Sequence, residues 1–77
     1  MTKDDIKQLV MDYQGTFGSE EGRRVLADLS KQCYADALTF VPGSPDGTAF
    51  NEGKRYVILH IQRLVAANLN TIGESNG

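Results

Sequence analysis

The chain has 77 residues, eight of them lysine or arginine and ten aspartate or glutamate, and a net charge of −2. So short a chain forms a single domain with a small core, because it buries only about 60 to 65% of the surface that its unfolded form exposes. The interspersed charges argue against a protein that binds nucleic acid or acidic lipid, since such proteins concentrate basic residues on one face.

The cysteine content and the hydropathy pattern indicate the compartment. Cys33 is the single cysteine, which excludes an internal disulfide and a cysteine-based metal clip and is typical of a reducing cytoplasm. The N-terminus enters an amphipathic pattern without an apolar signal region, and no run approaches the ~18 apolar residues of a membrane span. We therefore expect a cytoplasmic protein without a membrane span.

The first predicted helix covers residues 3–14. Thr2 and Asp5 have the spacing of an N-terminal capping arrangement. Apolar residues then recur along one helix face: Ile6, Leu9, Val10 and Tyr13. Gly15 and Gly18 each disfavour a helix interior by ~1 kcal/mol, so the helix is expected to end before them.

A second helix is predicted over residues 20–35. Ser19 is a good N-cap, and Glu20 and Glu21 occupy the first turn, where the helix dipole favours negative charge. The stripe expected to be buried consists of Val25, Leu26, Leu29 and Cys33.

Residues 37–47 are predicted to form an ordered loop. They combine an apolar patch that includes Phe40 and Val41 with two prolines, two glycines and an Asp-Gly pair, which is strong turn chemistry. The loop is expected to be ordered because Phe40 and Val41 are apolar and are expected to pack against the helices. A β-strand is not predicted in this loop, because the sequence shows no second strand with which it could pair.

The third predicted helix covers residues 49–68, with Thr48 as its cap and Phe50 as a packing anchor, and at ~30 Å it is the longest element. The polar residues 70–77 are predicted to be a flexible tail, since Ile72 is their only sizeable apolar residue. Three amphipathic helices with short connections predict a small all-α, three-helix fold, with one domain over residues 1–69.

Gly53 and the basic residues are the positions that call for an explanation. A glycine inside the third helix suggests that another element, the second helix or Phe17, approaches the third helix closely there. The basic doublets, Arg23 with Arg24 and Lys54 with Arg55, are expected to be solvated or paired with nearby acids, and they are also the candidate binding surface.

Catalytic chemistry is not indicated. His60 is the only histidine and falls on or beside an apolar face, where a core or boundary role is the common one, and Cys33 belongs to the apolar stripe. Residues 46–52 resemble a calcium loop only superficially, because the alternating ligands of an EF-hand are absent. We expect no catalytic residue, no metal site and no cofactor.

The order of these segments resembles a known family. The series consists of a Phe-Gly-Ser-Glu-Glu-Gly-Arg-Arg run over residues 17–24, Cys33, a Thr-Phe pair at 39–40, a Pro-Asp turn and a Thr-Ala-Phe-Asn-Glu-Gly-Lys-Arg run over 48–55. It resembles the sequences of small uncharacterised proteins of tailed, mostly short-tailed, bacteriophages and prophages. Members are encoded among virion and morphogenesis genes. The resemblance implies a phage origin and a virion-associated or assembly role, and it supplies no catalytic or binding residue.

Three functions remain open on this basis. The first is a non-catalytic helical module that binds a phage structural protein as a minor virion, ejection or assembly component, in the host cytoplasm or the virion. The second is a host-modulating protein that inhibits a bacterial enzyme complex. The third is a helical DNA-binding module, which the net charge disfavours. A homo-oligomer is also compatible with the tyrosines and with Phe40 or Val41, if these are exposed.

Overall fold

The computed structural model describes residues 1–72 and is all-helical. Its helices are α1 (Lys3–Gly18), α2 (Glu20–Gln32) and α3 (Pro45–Ala66), followed by a 3-10 turn at Leu69–Thr71. No strand occurs in residues 1–72, which confirms the predicted all-α, three-helix class. None of the helices in this part of the chain is long and apolar enough to cross a membrane.

Helix α1 begins as predicted and ends later. Thr2 and Asp5 form a reciprocal capping box, in which the N–H of each residue donates to the side chain of the other at 3.1 Å. The hydrogen bonds from Thr2 hold the pKa of the Asp5 carboxyl below its usual value. The helix continues through Gly15 to Gly18, because its last turns place Phe17 beside Tyr13, with ring centroids 6.4 Å apart.

Helix α2 starts at the predicted residue and is shorter than predicted. Ser19 is both the residue that ends α1 and the N-cap of α2, and its hydroxyl accepts a hydrogen bond from the N–H of Gly22 at 3.0 Å. The helix ends at a Schellman motif: the N–H of Ala35 donates to Ser30 O and the N–H of Tyr34 donates to Lys31 O. Tyr34 occupies the left-handed position of this motif, with φ of 62°, where glycine is usual.

Helix α3 starts four residues earlier than predicted. Ser44 is its N-cap and accepts a hydrogen bond from the N–H of Gly47 at 3.1 Å, while Pro45 occupies the first helical position, where its missing N–H costs nothing. Thr48 therefore lies inside the helix and is not the cap. The helix ends at Ala66, two residues earlier than predicted.

Helix α1 is the central element. It packs against α2 on one side and α3 on the other, whereas α2 and α3 have little direct contact with each other. The fully buried hydrophobic residues in the described chain come from three elements: Val10 of α1, Ile58 of α3 and Ala35 of the loop after α2. The core is therefore small, and residues of three separate elements form it.

Two residues that were predicted to be buried are exposed. Val25, predicted to belong to the buried stripe of α2, is 51% exposed, and Phe50, predicted to anchor the packing of α3, is 67% exposed. The remaining stripe residues of α2, Leu26, Leu29 and Cys33, are half-buried. Because α2 packs mainly on α1, only a narrow strip of α2 is covered and Val25 lies beyond it.

The end of the described chain extends beyond the predicted start of the tail. The 3-10 turn Leu69–Thr71 contacts α1, and Asn68 caps it by accepting the N–H of Asn70 at 2.9 Å. The rest of the predicted flexible tail, residues 73–77, lies outside the described residues.

Candidate functional site

A groove runs between α2 and α3 over the C-terminal half of α1, and we call it the interhelical groove. Its walls are held together at one point, where Gln62 Nε2 of α3 donates to Ser30 Oγ of α2 at 3.1 Å. The lining is partly apolar and carries one positive charge, and it consists of Gln14, Phe17, Gly18, Arg23, Leu26, Ala27, Ser30, Gln62 and Val65. The groove is an open surface hollow and not an enclosed pocket.

Gln14 fixes the end of α3 to α1. Its amide nitrogen Nε2 lies 3.4, 3.2 and 2.8 Å from the carbonyl oxygens of Leu64, Val65 and Ala67. These are carbonyls of the last turn of α3 and of its C-cap. The carbonyl of Leu64 also accepts the N–H of Ala67 at 3.3 Å, whereas carbonyls at the end of a helix generally lack partners within it. Sequence reasoning did not single out Gln14, because a glutamine at the margin of an amphipathic helix has the pattern of an ordinary surface residue.

Gly22, and not Gly53, is the point of close approach between helices. A Cβ at Gly22 would lie 2.1 Å from Thr16 O and 2.7 Å from the Cα of Phe17, both in the main chain of α1. A Cβ at Gly53 would meet nothing within 4 Å, and Gly53 is exposed. The prediction that Gly53 admits a neighbouring element is therefore wrong. The two glycines occupy similar positions in the runs 17–24 and 48–55, but only Gly22 is required by a close contact with another helix of the chain.

The two basic doublets line different hollows. Arg23 and Arg24 are exposed in the first turns of α2, and Arg23 lines the interhelical groove. Lys54 and Arg55 are half-buried, and Arg55 lines a separate hollow with Leu38 and Glu52. Because α3 begins at Pro45, Lys54 and Arg55 lie two to three turns from its start, whereas Arg23 and Arg24 lie about one turn from the start of α2. The doublets therefore do not occupy equivalent positions, and their role in binding stays a prediction.

Lys54 already has partners within the chain. Its Nζ lies 4.6 Å from the centroid of the Phe50 ring and 5.5 Å from that of Tyr34. Each cation–π contact at an exposed site contributes about 0.5 to 1 kcal/mol. The left-handed backbone of Tyr34 places its ring in this cluster, so Lys54 joins the end of α2 to α3.

The loop before α3 is pinned to that helix along one edge. Asn51 Nδ2 donates to Thr39 O at 3.1 Å, the N–H of Val41 donates to Thr48 Oγ1 at 2.9 Å, and the hydroxyl of Thr39 donates to the carboxylate of Glu52. The predicted ordered loop is confirmed. Sequence reasoning missed these anchors, because it had assigned Thr48 as a helix cap.

Leu38 and Phe40 alternate in sequence with the pinned residues and are exposed. Leu38 is 88% exposed and Phe40 is 67% exposed, whereas Thr39 and Val41 are half-buried. We call Leu38 and Phe40, with their main-chain groups, the apolar edge.

His60 and Cys33 have structural contacts. The ring of His60 packs edge-on against Tyr13, with centroids 5.9 Å apart, although His60 itself is exposed. Cys33 is half-buried at the C-cap of α2, where its N–H donates to Leu29 O at 2.9 Å. Both therefore lie at the margin of the packed region.

The fold defines the class of the protein. It is a small all-helical protein with open surface hollows, a core of few residues and several exposed apolar side chains. A family model described as Bbp19-like phage protein matches residues 13–72. The chain belongs to this family of phage proteins, as its resemblance to small proteins of tailed phages indicated. Neither the curated proteins nor the solved structures contain a significant match.

Proposed function

We propose that the protein is a non-catalytic helical interaction module of its phage, which binds a phage structural protein as a minor virion, ejection or assembly component. The observation that carries this proposal is the exposure of nine large hydrophobic residues in the described part of a chain with three buried hydrophobic residues. Few buried hydrophobic residues beside many exposed ones favour a partner, because a bound partner stabilises a chain with so small a core.

Mass spectrometry of purified particles tests the virion role. The particles come from the phage, or the induced prophage, that encodes the chain, and an abundant early protein of the same phage serves as the control for contamination. We expect the chain in the particles at a constant ratio to the major capsid protein, with the early protein absent. Consistent absence of the chain from the particles would overturn the virion role. A pull-down from infected cells that returns only a host enzyme complex would favour the host-modulating alternative.

The basic doublets are proposed to contribute to this partner contact. We expect the double variant R23A/R24A to reduce partner capture in the pull-down without changing the helix content measured by circular dichroism, because both side chains are exposed. The variant K54A/R55A is expected to lower stability as well, since Lys54 loses two aromatic contacts. Arg63→Ala, at an exposed cation near the end of α3, is the control. If alanine at all four doublet positions leaves every interaction unchanged, this assignment is wrong.

A further inference from the structure

A line of exposed residues runs along α3 for most of its length. They follow one another at alternating spacings of three and four positions, and they are Asp46, Ala49, Gly53, Tyr56, His60 and Arg63. Residues with this spacing share one face of an α-helix and have the pattern of a coiled-coil contact line. Ile58, the buried residue of α3, lies roughly 140° around the helix from Gly53, so this face is not the packed one. We call the six residues the α3 seam.

Gly53 lies near the middle of the α3 seam and forms a hollow in it. Glycine destabilises a helix interior relative to alanine, yet a Cβ at Gly53 would meet nothing within 4 Å in the described chain. Large side chains surround this open position: Tyr56 is 70% exposed, and Phe50 and Val57 at the border of the seam are also exposed. A hollow beside projecting side chains is the relief that allows two helices to interlock.

We propose that the α3 seam packs against the α3 seam of a second copy of this chain. The two helices are antiparallel and related by a two-fold axis. The proposal concerns self-association, uses no residue of the two basic doublets and does not depend on the proposed function.

The spacing of the α3 seam determines the register of this pair. The alternation of three and four positions reads the same in both directions, so a reversed copy places every seam residue opposite another one. From the centre outwards the layers are Gly53–Tyr56, Ala49–His60 and Asp46–Arg63, and the two-fold axis repeats each of them.

The two halves of the α3 seam are complementary to each other, which favours a second copy as the occupant. The N-terminal half consists of an acid followed by two small residues, and the C-terminal half of two large rings followed by a cation. The antiparallel register therefore joins small to large in the inner layers and Asp46 to Arg63 at both ends. A parallel pair would place like charges opposite each other at each end. Such self-complementarity is what a two-fold interface requires.

The dimer is expected to be weak. The α3 seam is roughly 26 Å long from Asp46 to Arg63, which is short for a coiled coil. Its terminal ion pairs are formed by exposed residues, and such pairs contribute little. We therefore expect a monomer at the low micromolar concentrations of a denaturation experiment and a dimer as the concentration approaches millimolar.

Sedimentation equilibrium of charge-reversed variants tests the pairing and its register. The wild-type chain is expected to rise from one chain mass, 8.4 kDa, towards twice that mass as its concentration increases from micromolar to millimolar. Asp46→Lys and Arg63→Glu, each alone, place like charges opposite each other at both ends and weaken the dimer by about tenfold. Mixed in equal amounts, the two variants restore dimerisation, because each end of the mixed dimer then joins a cation to an acid.

Asp28→Lys and Lys31→Glu are the matched controls for net charge. They make the same changes of charge at exposed residues of α2, which contributes nothing to the α3 seam. Both variants are expected to dimerise like the wild type.

Gly53→Leu tests the hollow independently of charge. The added side chain would occupy the space of Tyr56 of the other copy in two symmetric layers, so the dimer is expected to weaken by more than tenfold. The monomer has open space at this position and should keep its helix content in circular dichroism. Gly15→Leu is the matched control, because Gly15 is also an exposed helical glycine with an open Cβ position.

Three results would overturn the proposal. The first is a wild-type chain that stays monomeric up to millimolar concentration. The second is a dimer that withstands Gly53→Leu and both charge reversals, and the third is a mixture of the charge-reversed variants that fails to recover. If the wild type is monomeric but Gly53→Leu abolishes capture of a phage protein, the occupant of the α3 seam is that protein and not a second copy.

Discussion

Replacing Gly22 with alanine is expected to lower the free energy of unfolding by about 2 to 3 kcal/mol, the upper part of the usual range for overpacking. The added Cβ would lie 2.1 Å from Thr16 O, a main-chain atom of α1 that cannot rotate away. The two helices would have to separate at the point where Ser19 joins them. Urea denaturation followed by circular dichroism measures the change. Because a domain of this size has a total stability of about 4 to 12 kcal/mol, the loss is a large fraction.

Gly53→Ala is the matched control for this substitution. Gly53 also lies within a helix, but its Cβ position is open, so alanine should raise the free energy of unfolding by about 0.5 to 1 kcal/mol through its higher helix propensity. Opposite signs for the two substitutions are the expected result. Equal effects, or a neutral Gly22→Ala, would contradict the close contact between α1 and α2.

Gln14→Glu is expected to destabilise the fold by about 1 to 3 kcal/mol, the cost of leaving partly buried polar groups unpaired. The substitution replaces the amide donor with a carboxylate that faces the carbonyl oxygens of Leu64, Val65 and Ala67. Those carbonyls form the negative end of the dipole of α3, so the new charge is repelled. Chemical denaturation at neutral pH measures the loss. Hydrogen exchange should localise it to the last turn of α3.

Gln8→Glu provides the control for charge alone. Gln8 is exposed on the same helix and bonds only Asp12, so the same substitution there should cost about 0.5 kcal/mol or less. The effect at position 14 should also depend on pH. The carbonyls raise the folded-state pKa of the introduced carboxyl above the unfolded value of ~4.3. Its penalty is therefore full above the folded-state pKa, decreases as the pH falls between the two values, and is absent below ~4.3, where the carboxyl is protonated in both states. A penalty that is independent of pH would argue against a direct contact.

Local signals in the sequence predicted the number of helices and several of their ends. The capping box at Thr2 and the N-cap at Ser19 depend on residues within four positions, and both are confirmed. The start of α3 was missed because Ser44 and Pro45 were interpreted as turn residues, although proline is equally suited to the first turn of a helix. Gly15 did not end α1: a local cost of ~1 kcal/mol does not by itself stop a helix whose next turn brings Phe17 beside Tyr13.

The contacts between distant segments could not be predicted in the same way. Gln14 and Val65 are 51 residues apart, and no periodicity relates them. Gly22 and Gly53 look alike in the two similar runs, and only the position of α1 distinguishes a required glycine from an unconstrained one. The end of α2 was missed because Tyr34 replaces the glycine that usually marks such a cap. The apolar edge depends on how the loop lies against α3, which the sequence does not encode locally.

The single-residue link at Ser19 restricts how the chain can change in length. One added residue at this point would turn α2 by about 100° about its own axis and carry Gly22 away from Phe17. The loop before α3 has no such restriction, because side chains of the helix hold it at a few points. Insertions and deletions are therefore compatible with this fold in the loop that carries the apolar edge, and incompatible with it at the corner between α1 and α2.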